Sequence, residues 1–143
     1  MKAISLINIF LIVLLFPLSV NAQEQQREGC CICGMYLDMY ASTEHVIIYK
    51  DGSVKKTCSL ACASKLYKSG KKRIKKILVA DFLSHELIDA QKAYYLEGSD
   101  IPGVMSYTSR IAFKDKEKAI EFQKKHGGKI ISFEEAVKHQ IEE

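Results

Sequence analysis

Soft sulfur donors crowd into one short stretch of this chain, Cys30-Cys31-Ile32-Cys33-Gly34-Met35. Three of the five cysteines and one of the four methionines fall there. A Cys-x2-Cys pair can bring two sulfurs to one ion, because the two intervening residues make a tight turn and Gly34 lets the backbone bend back. Met35 adds a thioether two residues past Cys33. Thiolate with thioether is the donor set that selects Cu(I) over harder cations. Alone, Cys-x2-Cys also serves zinc, a redox dithiol or a disulfide. The extension to Cys-x2-Cys-Gly-Met is the more specific signal.

Other donors lie further along. Cys58 and Cys62 stand four apart at the start of an expected helix, on one face. With Cys30 and Cys33 they would make four thiolates, a zinc-type donor set. The plainer readings are a packed or disulfide-linked helix start. A helix N-terminus lowers a thiol pKa, so Cys58 is also a candidate reactive thiol. Within the first cluster the disulfide to expect is Cys30–Cys33, since adjacent cysteines do not readily bond each other. Met105 follows a Pro102-Gly103 turn in a loop, as a gap filler or a ligand. Met39 reads as packing. His45, His85, His126 and His139 form neither a His-x-His pair nor a His-Glu-x2-His motif. Asp89 is a lone carboxylate, better suited to a structural hydrogen bond than to catalysis.

These donors sit in a chain of 143 residues, enough for one compact unit or two very small ones. A net charge of +4 is too mild to point to nucleic acid. Residues 1–22 read as a targeting segment, with Lys2 ahead of an apolar run from Ile4 to Val20 and Val20-Asn21-Ala22 before the cut. Uncleaved, the same run would be a membrane anchor and the chain's one membrane contact. No cysteine follows a small-residue box, so no lipid anchor at a processed cysteine is indicated. Residues 23–29 form a polar lead-in. Export means an oxidising compartment, where cysteines pair. Five is an odd number, so at least one thiol stays free, binds metal or pairs with another molecule. Thioethers form no disulfides, which keeps Met35, Met39 and Met105 available as copper donors there.

The positioning elements follow one plan twice. Residues 30–83 form a first β-β-α-β unit. It has strands over 44–50 and 53–57 joined at Asp51-Gly52, a helix from Ser59 to about Lys68, and a strand over 74–82. Residues 84–143 form a second. It has strands over 87–96 and 107–113, a helix from Asp115 to about Lys125, a strand over 129–132 and a last helix over 133–141. Each half is too small to bury much surface alone, so the two are expected to share or abut their cores. The fold class expected is α+β, two consecutive small β-β-α-β units packed together after the signal segment.

The chain resembles the NosL family, the accessory proteins of nitrous oxide reductase. The resemblance runs from about Cys30 to Val137. It rests on the Cys30–Met35 cluster, on Tyr49-Lys50-Asp51-Gly52, on Leu87-Ile88-Asp89-Ala90-Gln91-Lys92-Ala93-Tyr94-Tyr95 and on Glu97-Gly98-Ser99. Pro102-Gly103-Val104-Met105, Phe113-Lys114, Ala119-Ile120-Glu121-Phe122 and His126-Gly127-Gly128 continue it. It implies two small β-β-α-β units and a periplasmic or outward-facing Cu(I) chaperone. Such a chaperone serves the copper–sulfide centre of nitrous oxide reductase, with the reductase or its assembly machinery as partner. It implies Cu(I) held by Cys33, Met35 and Met105. Ser106 follows Met105 where the family usually has glycine. Cys31, Cys58 and Cys62 lie outside the pattern that carries over, so metal and disulfide stay open for Cys30, Cys58 and Cys62. Two rivals to a non-enzymatic copper chaperone remain. One is a thiol–disulfide oxidoreductase at Cys30 and Cys33, which lacks the expected βαβ setting. The other is a structural zinc module at Cys30, Cys33, Cys58 and Cys62, with Zn in place of Cu(I).

Overall fold

The computed structural model describes residues 27–143. The targeting segment and most of the lead-in lie outside them. Asp51 makes the first hairpin: its carboxylate accepts the Ser53 amide at 2.9 Å, and the chain reverses between β1 (His45–Tyr49) and β2 (Val54–Thr57). The β-branched run of β1 suits a central strand, and β1 lies between β2 and β3 (Ile74–Ala80) in a four-stranded sheet of order β2-β1-β3-β4. Helix α1 (Leu60–Gly70) joins β2 to β3 and turns Leu60, Ala63 and Tyr67 onto Ile47, Tyr49, Ile77 and Val79. The three helix positions, spaced three and four apart, match the helical period read from the sequence.

The stretch 87–96, expected as one strand, is two. β4 (Leu87–Asp89) pairs with β3, while β5 (Tyr94–Glu97) is the centre of a second sheet. Asp89 makes the break. Its carboxylate accepts the Gln91 amide at 3.1 Å and its carbonyl accepts Lys92 and Ala93, a side-chain-driven turn that alternation of apolar residues does not reveal. Asp81 ends β3 early in the same way, accepting Ser84 at 2.8 Å.

The second sheet has order β6-β5-β7, from β6 (Arg110–Phe113) and β7 (Lys129–Ile131), with α2 (Lys116–His126) between them in sequence. All its pairings, like those of the first, are antiparallel. Helix α3 (Phe133–Glu142) opens on a capping box at Ser132 and Glu135 and packs against α1. The main core is shared: Ile47, Leu60 and Val79 from the first sheet's side meet Tyr95, Ile131, Phe133 and Ala136 from the second. At its centre the buried Tyr95 hydroxyl meets the His45 ring nitrogen at 3.2 Å. No helix among the described residues is long and apolar enough to cross a membrane.

Candidate metal centre

Residues 29–36 form a knuckle. Gly29 and Tyr36 pair across its base, Cys30 donates to the Met35 carbonyl at 2.8 Å and Gly34 to the Cys30 carbonyl at 2.9 Å. Gly34 holds φ at 78°, a left-handed backbone that suits glycine. The turn throws the Cys30 and Cys33 side chains to one side. The Cys31 amide donates to the Lys56 carbonyl at 3.1 Å, which fastens the knuckle to β2.

That strand ends one residue before Cys58. Ser59 occupies the N-cap position of α1, and Cys62 lies in the first helical turn. The strand–helix junction therefore aims both sulfurs at the knuckle. The sulfurs of Cys33 and Cys58 are 3.5 Å apart, and those of Cys58 and Cys62 3.8 Å. All four sulfurs of Cys30, Cys33, Cys58 and Cys62 lie within 4.8 Å of one another. All five cysteines are free, and Cys31 points out to solvent. Among the described residues no histidine or carboxylate joins this group.

Cys58 and Cys62 are fully buried and Cys30 nearly so, while Cys33 is half-buried and forms the rim. Leu37 belongs to the same cluster, with Met35, Tyr40 and Val104 packed around it. The four thiols divide, with Cys30 and Cys58 shifted toward thiolate and Cys33 and Cys62 toward thiol. The Cys62 thiol beside it, outweighing burial, holds Cys58 down at about 5. The proton is kept by Cys62, whose pKa is raised by that hydrogen bond to Cys58 and by burial. Burial pushes Cys30 up, but amides of Cys33, Ile32 and Cys58 directed at its sulfur win and lower it. Burial raises Cys33 against the Met35 amide. A helix N-terminus beneath Cys58 adds positive potential.

The resemblance also pointed to Met35 and Met105. Met35 is half-buried against the sulfurs. Met105 stands one residue past Val104, 50% exposed, over Ala61, Ser64 and Lys65 of α1. Its φ is 58°, a left-handed conformation that costs a non-glycine residue about 1–2 kcal/mol. The turn is tight: a Cβ on Gly103 would lie 2.3 Å from the Ser106 carbonyl oxygen. Met39 is 65% exposed and outside the cluster.

A polar clamp fixes this turn. Glu143 accepts the amides of Tyr107 at 2.6 Å and Thr108 at 3.1 Å. Arg110 donates to Glu143, Glu97 and Gln140 at 2.7–2.8 Å. Of these residues only Glu97 stood out in the sequence, in the Glu97-Gly98-Ser99 patch and not as a clamp member, because the clamp joins positions 97, 110, 140 and 143 through the fold alone. His45 was also unremarkable there, yet it lies under the pocket. Its Nδ1 donates to the Thr43 carbonyl at 3.0 Å, and the Thr43 hydroxyl donates to the Cys58 carbonyl at 2.7 Å.

Comparison with known proteins fits this geometry. A copper-binding lipoprotein, NosL of Stutzerimonas stutzeri, is 29% identical over 121 residues, covering 76% of this chain. The chain spans 61% of that relative's length. The crystal structure of the copper chaperone NosL from Shewanella denitrificans superposes with a TM-score of 0.67 at 26% identity, covering 76% of this chain and 88% of that one. The NosL family model matches residues 21–141, and the chain belongs to the NosL family.

Proposed function

We propose that this chain is an exported metallochaperone, not an enzyme, which binds Cu(I) and delivers copper for assembly of the copper–sulfide centre of nitrous oxide reductase. One observation carries the reading: sulfur donors converge on the half-open rim at Cys33, with the Met35 thioether packed beside them, in a chain of the NosL family. The relatives named above are a copper-binding lipoprotein and a copper chaperone. The compartment is the periplasm, reached through the targeting segment.

Cys33 binds Cu(I) as thiolate, with Met35 and Met105 as thioethers. Soft donors select the monovalent ion, and the thioethers cannot be lost to disulfides. Support for Met105 comes from its turn. Val104 already touches the sulfur cluster, and a strained left-handed residue held by Gly103 and the Glu143 clamp is the kind of conformation that persists at functional sites. Release follows from the same design. Cys33 is at the rim, so a thiol of the acceptor can add to the ion before the chaperone's own donors leave.

An anaerobic Cu(I) titration of the reduced protein against a chromophoric competitor tests this. Cu(I) is expected to bind at one equivalent, and both Cys33→Ser and Met105→Leu are expected to weaken it. Binding indifferent to both substitutions overturns the ligand set. For the acceptor, a fully copper-loaded nitrous oxide reductase in a deletion strain under limiting copper would refute the proposed delivery.

A further inference from the structure

The family pattern uses one cysteine of the pocket, yet the fold brings four together. We infer that Cys30, Cys33, Cys58 and Cys62 form a four-thiolate site for a divalent cation of the zinc class. This is a second coordination mode of the same pocket, exclusive with copper because both modes claim Cys33. The four-thiolate site stands on geometry alone; the exclusion rests on the copper reading above.

Spacing is the first argument. An ion bound tetrahedrally by thiolates at about 2.3 Å sets its sulfurs about 3.8 Å apart. Cys33 and Cys58 stand at 3.5 Å and Cys58 and Cys62 at 3.8 Å, with no pair beyond 4.8 Å. A disulfide needs about 2.05 Å, and no two of these cysteines are bonded. Donor type is the second argument. Four sulfurs without a carboxylate exclude calcium and magnesium, and a closed set of four thiolates is the structural-zinc pattern.

Preparation of the pocket is the third. A divalent ion with four thiolates carries two net negative charges in a buried place. The N-terminus of α1 lies under Cys58 and Cys62 and offsets part of that charge. The backbone bonds of the knuckle, from Cys30 to the Met35 carbonyl and from Gly34 to the Cys30 carbonyl, fix the positions of the other two sulfurs. The ion would also join two segments 25 residues apart, Cys33 in the knuckle and Cys58 at the head of α1. Since three sulfurs are buried and Cys33 is at the rim, entry and exit run past Cys33.

The probe is Co(II), a spectroscopic stand-in for zinc, added anaerobically to the reduced exported protein. One equivalent is expected to give the sulfur-to-metal charge transfer and strong visible bands of a tetrahedral four-thiolate complex. Zn(II) should abolish them, and so should one equivalent of Cu(I). Cys58→Ser and Cys62→Ser are each expected to weaken Co(II) binding by more than roughly 100-fold, the upper range for loss of a mere outer partner. Met35→Leu and Met105→Leu should leave the Co(II) spectrum unchanged while weakening Cu(I). A weak octahedral spectrum, or a four-thiolate spectrum that survives both serine variants, overturns the site. Should the serine variants fail to fold, the charge-transfer intensity of the unmodified protein counts the thiolates, and fewer than four overturns it. A four-thiolate Co(II) spectrum without Cu(I) binding keeps the site and sinks the copper reading. Cu(I) binding beside undiminished Co(II) bands overturns the exclusion.

Discussion

The cysteine pocket and the Met105 turn present sulfur by opposite means. The pocket takes its sulfurs from a hydrogen-bonded turn laced to β2 and from the head of α1. Its sulfurs are mostly buried, and short-range hydrogen bonds hold them. The Met105 turn has no regular structure. It is held from a distance, by a clamp whose members come from β5, β6 and α3. The difference teaches that sulfurs beside a strand and a helix head are held by local backbone bonds, with positive φ only at glycine. The Met105 turn is held by long-range charge pairing and carries a costly backbone conformation at a non-glycine residue.

Removing the clamp gives the largest separation of the two. The Arg110 side chain is 5% exposed and its two carboxylate partners 17% each. Arg110→Ala takes the guanidinium from both carboxylates, leaving Glu143 on the Tyr107 and Thr108 amides and Glu97 on the His139 ring nitrogen. The expected loss is about 3 kcal/mol, the low end for a broken buried pair, because both carboxylates keep some contact with water. Urea unfolding measures it. Amide exchange should rise at residues 107 and 108, while the Cys30 and Cys31 amides of the knuckle stay protected. Equal loosening of both regions would show that they are one cooperative unit.

Acid acts next, and in two windows. His45, under the pocket, is held neutral: burial drives its pKa to about 4 from 6.5, against the Thr43 carbonyl, which favours the proton. The unfolded chain therefore takes up the proton first, so stability falls as pH drops from 6.5 toward 4. The loss over that window is about 3 kcal/mol, at about 1.4 kcal/mol per unit. The clamp behaves as a carboxylate. Burial pushes Glu143 up, but Arg110 and the two amides outweigh it and lower the pKa below its usual value. Its contribution is intact above the ordinary carboxylate range and is lost only as pH falls through the lowered value. His45→Gln should flatten the first window and spare the second, read from unfolding midpoints across pH.

How much of this was legible follows the same division. The fold class and the duplicated element order were legible, because apolar periodicity, Asp51-Gly52 and the helix stops are local signals. The break at Asp89 was not, since Asp89-Ala90-Gln91-Lys92 also fits the polar positions of one half-exposed strand, and only the bonds of the Asp89 turn reveal the change of sheet. Cys-x2-Cys-Gly-Met and the Cys58/Cys62 pair were legible as donors. Their convergence with Cys30 and Cys33 was legible only as one alternative, because a disulfide-linked or merely packed helix start has the same spacing. The clamp had no local signature at all. Its members are separated by up to 46 positions, from Glu97 to Glu143, and are joined only by the register of β5 with β6 and the docking of α3.

A smaller perturbation probes the tightness of the Met105 turn. A methyl group at residue 103 meets the Ser106 backbone oxygen at 2.3 Å, so Gly103→Ala must open the turn. Overpacking of this kind costs about 1–3 kcal/mol. The expected result is a modest fall in the urea midpoint together with weaker Cu(I) binding. An unchanged Co(II) spectrum would confine the damage to the turn.

The smallest effect is the most diagnostic, because its sign is unusual. Met105 is half exposed and left-handed, so its side chain contributes little burial while its backbone is strained. Asparagine tolerates that backbone better than methionine, since its short polar side chain can bond locally. Met105→Asn should therefore leave stability unchanged or raise it by a few tenths of a kcal/mol to about 1 kcal/mol, while Cu(I) affinity falls. A residue kept for packing would behave the other way, losing stability on the change. Paired unfolding and Cu(I) competition measurements on this one variant decide between them. Stability gained with copper binding lost means that the strain is retained for the thioether, whereas stability lost with copper binding intact would make Met105 a gap filler and leave the cysteine pocket as the whole of the metal site.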